Sequence, residues 1–283
     1  MITVDELLRP FQFQFFQNGL VVATIAGALC GLIGVYVVLR SMSYIGHGLS
    51  HAIFGGFAVS ALAGVNLFLG AGLWGLASAL AVSSVTRRRP IGSDAAIGVI
   101  TTASFAFGLA VLQLGSGADV DADAALFGNV LGVTRADIWI VGGVTLLAVA
   151  VIALRYRALL FATFDPEVAD ASGVPVARLD ALLMFVLAAS ILATMNVMGV
   201  TLIAAALVVP AVVARMLTSS FSTMLWLSAL IGAVCGFVGM NLSYHLDVAS
   251  GPTIVLVGGL CFVLALAATG ARGRTRLARV DAL

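Results

Sequence analysis

The chain has 283 residues, 61% of them hydrophobic and 10% charged, with a net charge of +1 and a mean hydropathy of +1.15. A water-soluble domain carries about 25% charged residues, so the composition excludes one and indicates an integral membrane protein of the helical type. The alternating pattern of an outer-membrane barrel is absent, and Cys30, Cys235 and Cys261 lie in apolar runs with neither a disulfide framework nor zinc-finger spacing.

Residues 1–16 hold aromatic and apolar groups with little charge. They read as an interfacial segment at headgroup level or as the ragged start of the first span. No basic n-region or cleavage site marks a signal peptide there. Apolar runs of spanning length then follow at 17–39, 45–64, 66–86, 91–114, 137–154, 179–197, 199–216, 222–244 and 253–270. Each is near the ~20 residues a helix needs to cross a bilayer. The pairs 45–64/66–86 and 179–197/199–216 are joined so tightly that one member could be broken or re-entrant. The expectation is an all-α polytopic membrane protein with eight to ten transmembrane helices, nine favoured, forming a single domain over 17–270.

All 14 basic residues are arginine. With nine spans, Arg40, Arg87, Arg88, Arg89, Arg155, Arg157, Arg178, Arg215, Arg272, Arg274, Arg276 and Arg279 fall on one face, and Arg9 and Arg135 on the other. Arginine-rich loops stay in the cytoplasm. The expected orientation is therefore N-terminus outside, with a cytoplasmic tail at 271–283.

In chain order, the first chemically unusual stretch is "MSYIGHGLSHAIFGG", residues 42–56. His47 and His51 share a helical face, with about 5–6 Å between Cβ atoms. A buried, hydrogen-bonded pair is one reading. The other is a metal site, because two imidazoles at this spacing can bind one ion and polar groups inside a span are costly unless functional. Ser43 and Ser50 lie nearby. The protease pattern His-Glu-x-x-His is absent, since Gly48 follows His47. A two-histidine set is an incomplete shell, which suits an ion in transit.

The stretch 115–136 is acidic and lies on the outer face. Asp119, Asp121 and Asp123 lack the Gly and Glu of a calcium loop, and read instead as a mild attraction for cations near an entrance. His245 and Asp247, at the outer end of the eighth span, belong to the same face. On the inner face, 155–178 contains a bounded short helix at about 166–172. Asp165 is its N-cap, Pro166 its first residue, Glu167 favours its first turn, Gly173 caps its end and Pro175 stops it. It reads as a plain connector or as a docking knob for a cytoplasmic partner, with nothing of its own chain to pack on.

Two further patterns concern packing. Gly27/Gly31 and Gly232/Gly236 have the four-residue spacing that lets helices approach closely. "GALCGLIG" and "GAVCGFVG" are near copies in oppositely directed spans, an inverted repeat or a coincidence. Pro210 should kink the seventh span.

Five blocks, at 31–56, 121–134, 165–176, 198–217 and 243–257, resemble the permease of bacterial zinc/manganese/iron ABC importers, in order and with the right intervals. The resemblance implies the type II permease fold of vitamin B12 and siderophore importers. It implies a homodimer in the bacterial inner membrane, two cytoplasmic ATP-binding subunits and an extracytoplasmic metal-binding protein, with no nucleic acid. It places a coupling helix on Asp165, Pro166, Glu167, Asp170, Gly173 and Pro175, and the metal site on the segment holding His47 and His51. His51 matches a family histidine, whereas at His47 most relatives carry Asp. Imidazole suits zinc, iron, copper and nickel, and carboxylate suits manganese, so the expected cargo is zinc, with no permanently bound cofactor. The alternative is a manganese or iron importer of the same family. A siderophore permease would need a wide, non-ligating pathway, and a secondary transporter mid-span carboxylates. The chain has no Gly-x-x-x-x-Gly-Lys-[Ser/Thr] loop, so it is expected to be no enzyme, ATP hydrolysis belonging to the separate subunit.

Overall fold

The computed structural model describes residues 9–88, 93–114, 128 and 132–280. After a single 3-10 turn at Arg9–Gln12, ten α-helices follow among the described residues. They are α1 (Gln14–Leu39), α2 (Ser43–Ala63), α3 (Leu67–Arg88), α4 (Ser93–Leu114), α5 (Arg135–Phe164), α6 (Pro166–Ala171), α7 (Val176–Met198), α8 (Ile203–Leu217), α9 (Phe221–Leu246) and α10 (Ser250–Val280). Nine of them match the nine apolar runs, and eight are long and apolar enough to cross a bilayer. No strand occurs among the described residues.

α1 is the hub. It packs on α9, α8, α5 and α7, while α2 packs chiefly on α4 and α3. At the α1–α9 crossing, a Cβ added to Gly27 would lie 2.1 Å from the Gly232 carbonyl oxygen, and one on Gly232 would lie 2.0 Å from that of Gly27. Gly31 faces Ser228, and Gly236 faces Ala23, with the same closeness. The helices cross antiparallel with the Gly27–Gly232 pair at the centre, so the two near-copied segments meet only at these first glycines and run away from each other beyond them.

The tight joints differ. α2 and α3 are both full helices, joined by Gly64 in the left-handed region (φ 65°) and by Asn66, whose Oδ1 accepts from the Phe68 and Leu69 amides (3.0 and 3.1 Å). α8 is the broken member of its pair. Its 15 residues span about 22 Å at 1.5 Å per residue, short of a ~30 Å hydrocarbon core. The turn before it starts at Gly199 (φ 74°) and is largely buried. Irregular backbone at membrane depth is tolerated where protein covers it. Pro210 sits inside α8, buried, without ending the helix.

Three extents differ from the sequence reading. α1 starts at Gln14, three residues before the expected span, and the described part of the lead-in holds a 3-10 turn at Arg9–Gln12. α5 continues through Arg155 and Arg157 to Phe164, because no Gly or Pro interrupts it before Asp165–Pro166. α10 runs on to Val280.

Candidate functional site

His47 and His51 stand about 6 and 12 Å along α2 from its start at Ser43, so His47 is nearer the arginine-rich end and His51 is close to the middle of the helix. Their Nε2 atoms face each other at 3.0 Å. One ion bonded to both at ~2.0–2.1 Å would need that gap to widen only slightly. Ser50 does not join them: its hydroxyl is buried and donates to the Gly46 and His47 carbonyls (both 2.9 Å). The rest of the recess comes from Tyr44 and from α4, which contributes Thr101, Thr102 and Phe105, around a space of about 270 Å³. The Phe105 ring lies 4.4 Å from that of His51. Gly48 admits α4, since a Cβ there would meet Ile97 and Thr101 at 2.7 Å. Among the described residues no third His, Cys, Asp or Glu joins the pair. His51 is half-buried, and its Nδ1 has no hydrogen-bond partner among them. His47 and Tyr44 are exposed, so this face of α2 points out of the protomer.

The short capped helix expected at 166–172 is present as α6, Pro166–Ala171. Asp165 Oδ1 accepts from the Val168 amide (3.0 Å), Pro166 opens the helix and Glu167 occupies its first turn. Gly173 takes φ 83°, and the Val174 amide returns to the Ala169 carbonyl (3.0 Å). Asp165, Glu167, Asp170 and Pro175 are exposed. The expectation that α6 has nothing to pack on is corrected: Ala169 is fully buried in the cluster that holds Tyr36, Leu159 and Leu179. A small apolar side chain was enough to dock one face of a two-turn helix.

Beside α6 lies a group missing from the sequence reading. Arg40, at the end of α1, pairs with Asp180 of α7 (2.5 Å) and donates from Nε to Thr163 Oγ1 of α5 (3.1 Å). The arginine side chain is 10% exposed. The three helix ends that frame α6 are thus tied together. Asp180, a lone acid one turn inside α7, was the available signal, because such a group calls for a cation.

Of the residues expected on the outer face, Asp119, Asp121 and Asp123 lie outside the described residues. Asp247 lines a recess of about 630 Å³ with Phe16 and Tyr244, holding a left-handed conformation (φ 53°) at the end of α9. His245 turns away from it, donating from Nδ1 to the Asn241 carbonyl (2.8 Å).

A sequence profile described as the ABC 3 transport family matches residues 12–269. The manganese transport system membrane protein MntC of Halalkalibacterium halodurans is 38% identical over 261 residues, 92% of this chain and 88% of that protein. The probable iron transport system membrane protein of Haemophilus influenzae is 35% identical over 263 residues, 93% and 97% of the two. Among solved structures, PsaBC from Streptococcus pneumoniae in complex with Fab superposes with a TM-score of 0.83 at 32% identity, covering 93% of this chain and 95% of that one. A putative metal-chelate type ABC transporter in an inward-facing conformation shares the fold, with a TM-score of 0.73 at 17% identity over 93% and 89% of the chains.

Proposed function

The chain belongs to the ABC 3 transport family, and from that premise we propose that it is the permease of an importer that carries a divalent manganese or iron ion between two copies of itself. The expectation of zinc gives way here, because relatives of this similarity are named for manganese and iron. The observation that carries the proposal is the His47–His51 pair, Nε2 facing Nε2 on an outward face of a spanning helix. Imidazoles facing lipid would be costly, which supports a second copy opposite them and a polar path between. Imidazole also suits iron, so iron is the ion on which donor chemistry and relatives' names agree. Zinc remains a second reading on His47 alone, an imidazole where the family resemblance implies a carboxylate.

In this reading the bilayer is the bacterial plasma membrane, with the arginine-rich face in the cytoplasm. An extracytoplasmic binding protein delivers the ion to the acidic outer face, where Asp247 and the Asp119–Asp123 stretch attract it. The exposed α6, with Asp165, Glu167 and Asp170, docks a separate ATP-binding subunit, which supplies the hydrolysis. Arg40, Asp180 and Thr163 pass its movement to α1, α5 and α7. No cofactor stays bound, the metal being cargo.

The test is radioactive manganese, iron and zinc uptake by vesicles holding the complete complex. His51→Ala should lower manganese or iron uptake at least about tenfold, the lower end of what losing even a group that only orients a ligand costs, while the ATP-binding subunits still co-purify. Full-rate uptake in both His47→Ala and His51→Ala refutes the site. Zinc uptake exceeding that of iron and manganese, and lost in His47→Asp, favours the second reading.

A further inference from the structure

A second cavity, among the described residues, has neither His47 nor His51 in its lining. It has a volume of about 920 Å³ and lies on the flank of the bundle where α5 and α9 stand on either side of α1. Ala28 and Leu32 of α1 form its floor, and Ile152 and Leu225 are among its apolar walls. α5 and α9 meet at its arginine end, where Tyr156 and Phe164 pack on Phe221 at ring distances of 5.8 and 6.0 Å. Away from that end the groove opens toward the middle of the bilayer.

Three features specify an occupant. The lining on α5 runs from Thr145 to Ala158, about 20 Å of helix, enough for one leaflet's ~15 Å share of a ~30 Å hydrocarbon core and the headgroup level beyond it. Its charged groups lie at one end, where Arg155, Arg157 and Ser222 cluster, whereas the hydroxyl of Thr145 at the other end donates to the Val141 carbonyl of its own helix. Both arginines are exposed, and neither has an ion-pair partner among the described residues. Trp226, 70% exposed, stands on the groove wall near the same level, where amphipathic indoles settle at membrane interfaces. An apolar slot one leaflet deep, ending in unpaired cations, complements a lipid with apolar tails and an anionic head.

We propose that this groove is a binding site for an anionic glycerophospholipid, its acyl chains along Leu32, Ile152 and Leu225 and its phosphate at Arg155 and Arg157. The site does not depend on the cargo or on the transport reading, only on the chain spanning a membrane. α5 packs on α1, α6 and α7, and the histidine face belongs to α2 and α4, so the lipid would leave the proposed ion path free.

The test uses the full-length chain carrying Trp74→Phe and Trp139→Phe, which leaves Trp226 as the sole tryptophan. It is reconstituted in phosphatidylcholine vesicles containing a minor fraction of chain-brominated phosphatidylglycerol or, separately, chain-brominated phosphatidylcholine. Quenching of Trp226 should reveal up to about a thirtyfold preference for the anionic lipid, the size two arginines near a charged headgroup supply. Arg155→Gln/Arg157→Gln should bring the preference to parity, and Arg155→Lys/Arg157→Lys should keep most of it. Ala229→Phe, which fills the groove, should weaken quenching by both lipids. Equal quenching in the unsubstituted groove means an ordinary lipid annulus and overturns the proposal. So does a preference that survives the double glutamine variant. Absence of quenching by either lipid means that a protein covers this face, a second copy included, and overturns it as well.

Discussion

α1 and α5 have the same hydropathy over their spanning windows, yet 78% of the α1 window is buried inside the protein and only 22% of the α5 window. In water such twins would compete equally for the core. In a bilayer, lipid tails are as apolar as leucine, and burial goes to the helix that can be approached most closely. α1 presents Ala23, Gly27 and Gly31 to matching small residues of α9. α5 also has adjacent glycines, Gly142 and Gly143, but nothing lies within 4 Å of a Cβ on either. Small residues therefore make a core only where a partner supplies its own, and α5 is left with Leu146 and Leu154 facing outward.

The sharpest way to break this contrast is one substitution made in both helices. Gly27→Leu should abolish folded protein, a loss beyond the ~4–5 kcal/mol that marks exceptional substitutions, because the Gly232 backbone occupies the space of its Cβ. Gly142→Leu should change stability by no more than about 0.5 kcal/mol. Thermal unfolding of the detergent-solubilised protein measures both, and equal losses would show that hydropathy, not close approach, holds α1 in place.

A second contrast lies within α1. Its middle is held to α9 by packing, and its arginine end is held to α5 and α7 by charge. Arg40→Ala leaves Asp180 half-buried beside an empty space and should cost about 3 kcal/mol, the lower end for a broken buried pair. Arg40→Leu/Asp180→Leu should regain most of that, since an apolar replacement removes both desolvation costs. If the double variant is as unstable as the single one, the pair acts through packing of the arginine stem.

These regions also mark what the sequence could reveal. Span positions were legible because hydrocarbon thickness imposes a length, and the α6 cap because Asp165, Pro166, Gly173 and Pro175 act locally. The choice of α1 over α5 as hub was not legible, since it depends on which distant glycine faces which. Nor was the Arg40–Asp180 pair, whose members lie 140 residues apart. The histidine face is intermediate. The spacing of His47 and His51 predicted their approach, but Thr101 and Phe105 enter from α4, where no pattern pointed to them. Asp119–Asp123 lies outside the described residues. The manganese-or-iron reading comes from relatives, because a two-imidazole set in one protomer is compatible with several first-row ions.

The smallest test addresses whether hydrogen bonding adds to close approach at the α1–α9 crossing. Ser228 is fully buried and its hydroxyl donates to the Gly31 carbonyl, at 2.6 Å, across the interface. That carbonyl already belongs to the α1 helix ladder, so the serine adds a second bond to an acceptor with a spare lone pair. Interhelical bonds of this kind are worth about 0.6 kcal/mol on average in membranes. Ser228→Ala keeps the small volume and removes only the donor, so its cost should stay near that value. Ser228→Val keeps no donor and adds bulk where the Gly31 and Ser228 backbones already crowd each other, so it should cost several times more. A large loss in the alanine variant would mean that α1 is buried for its polar contacts, and the contrast with α5 would then rest on donors and not on residue size.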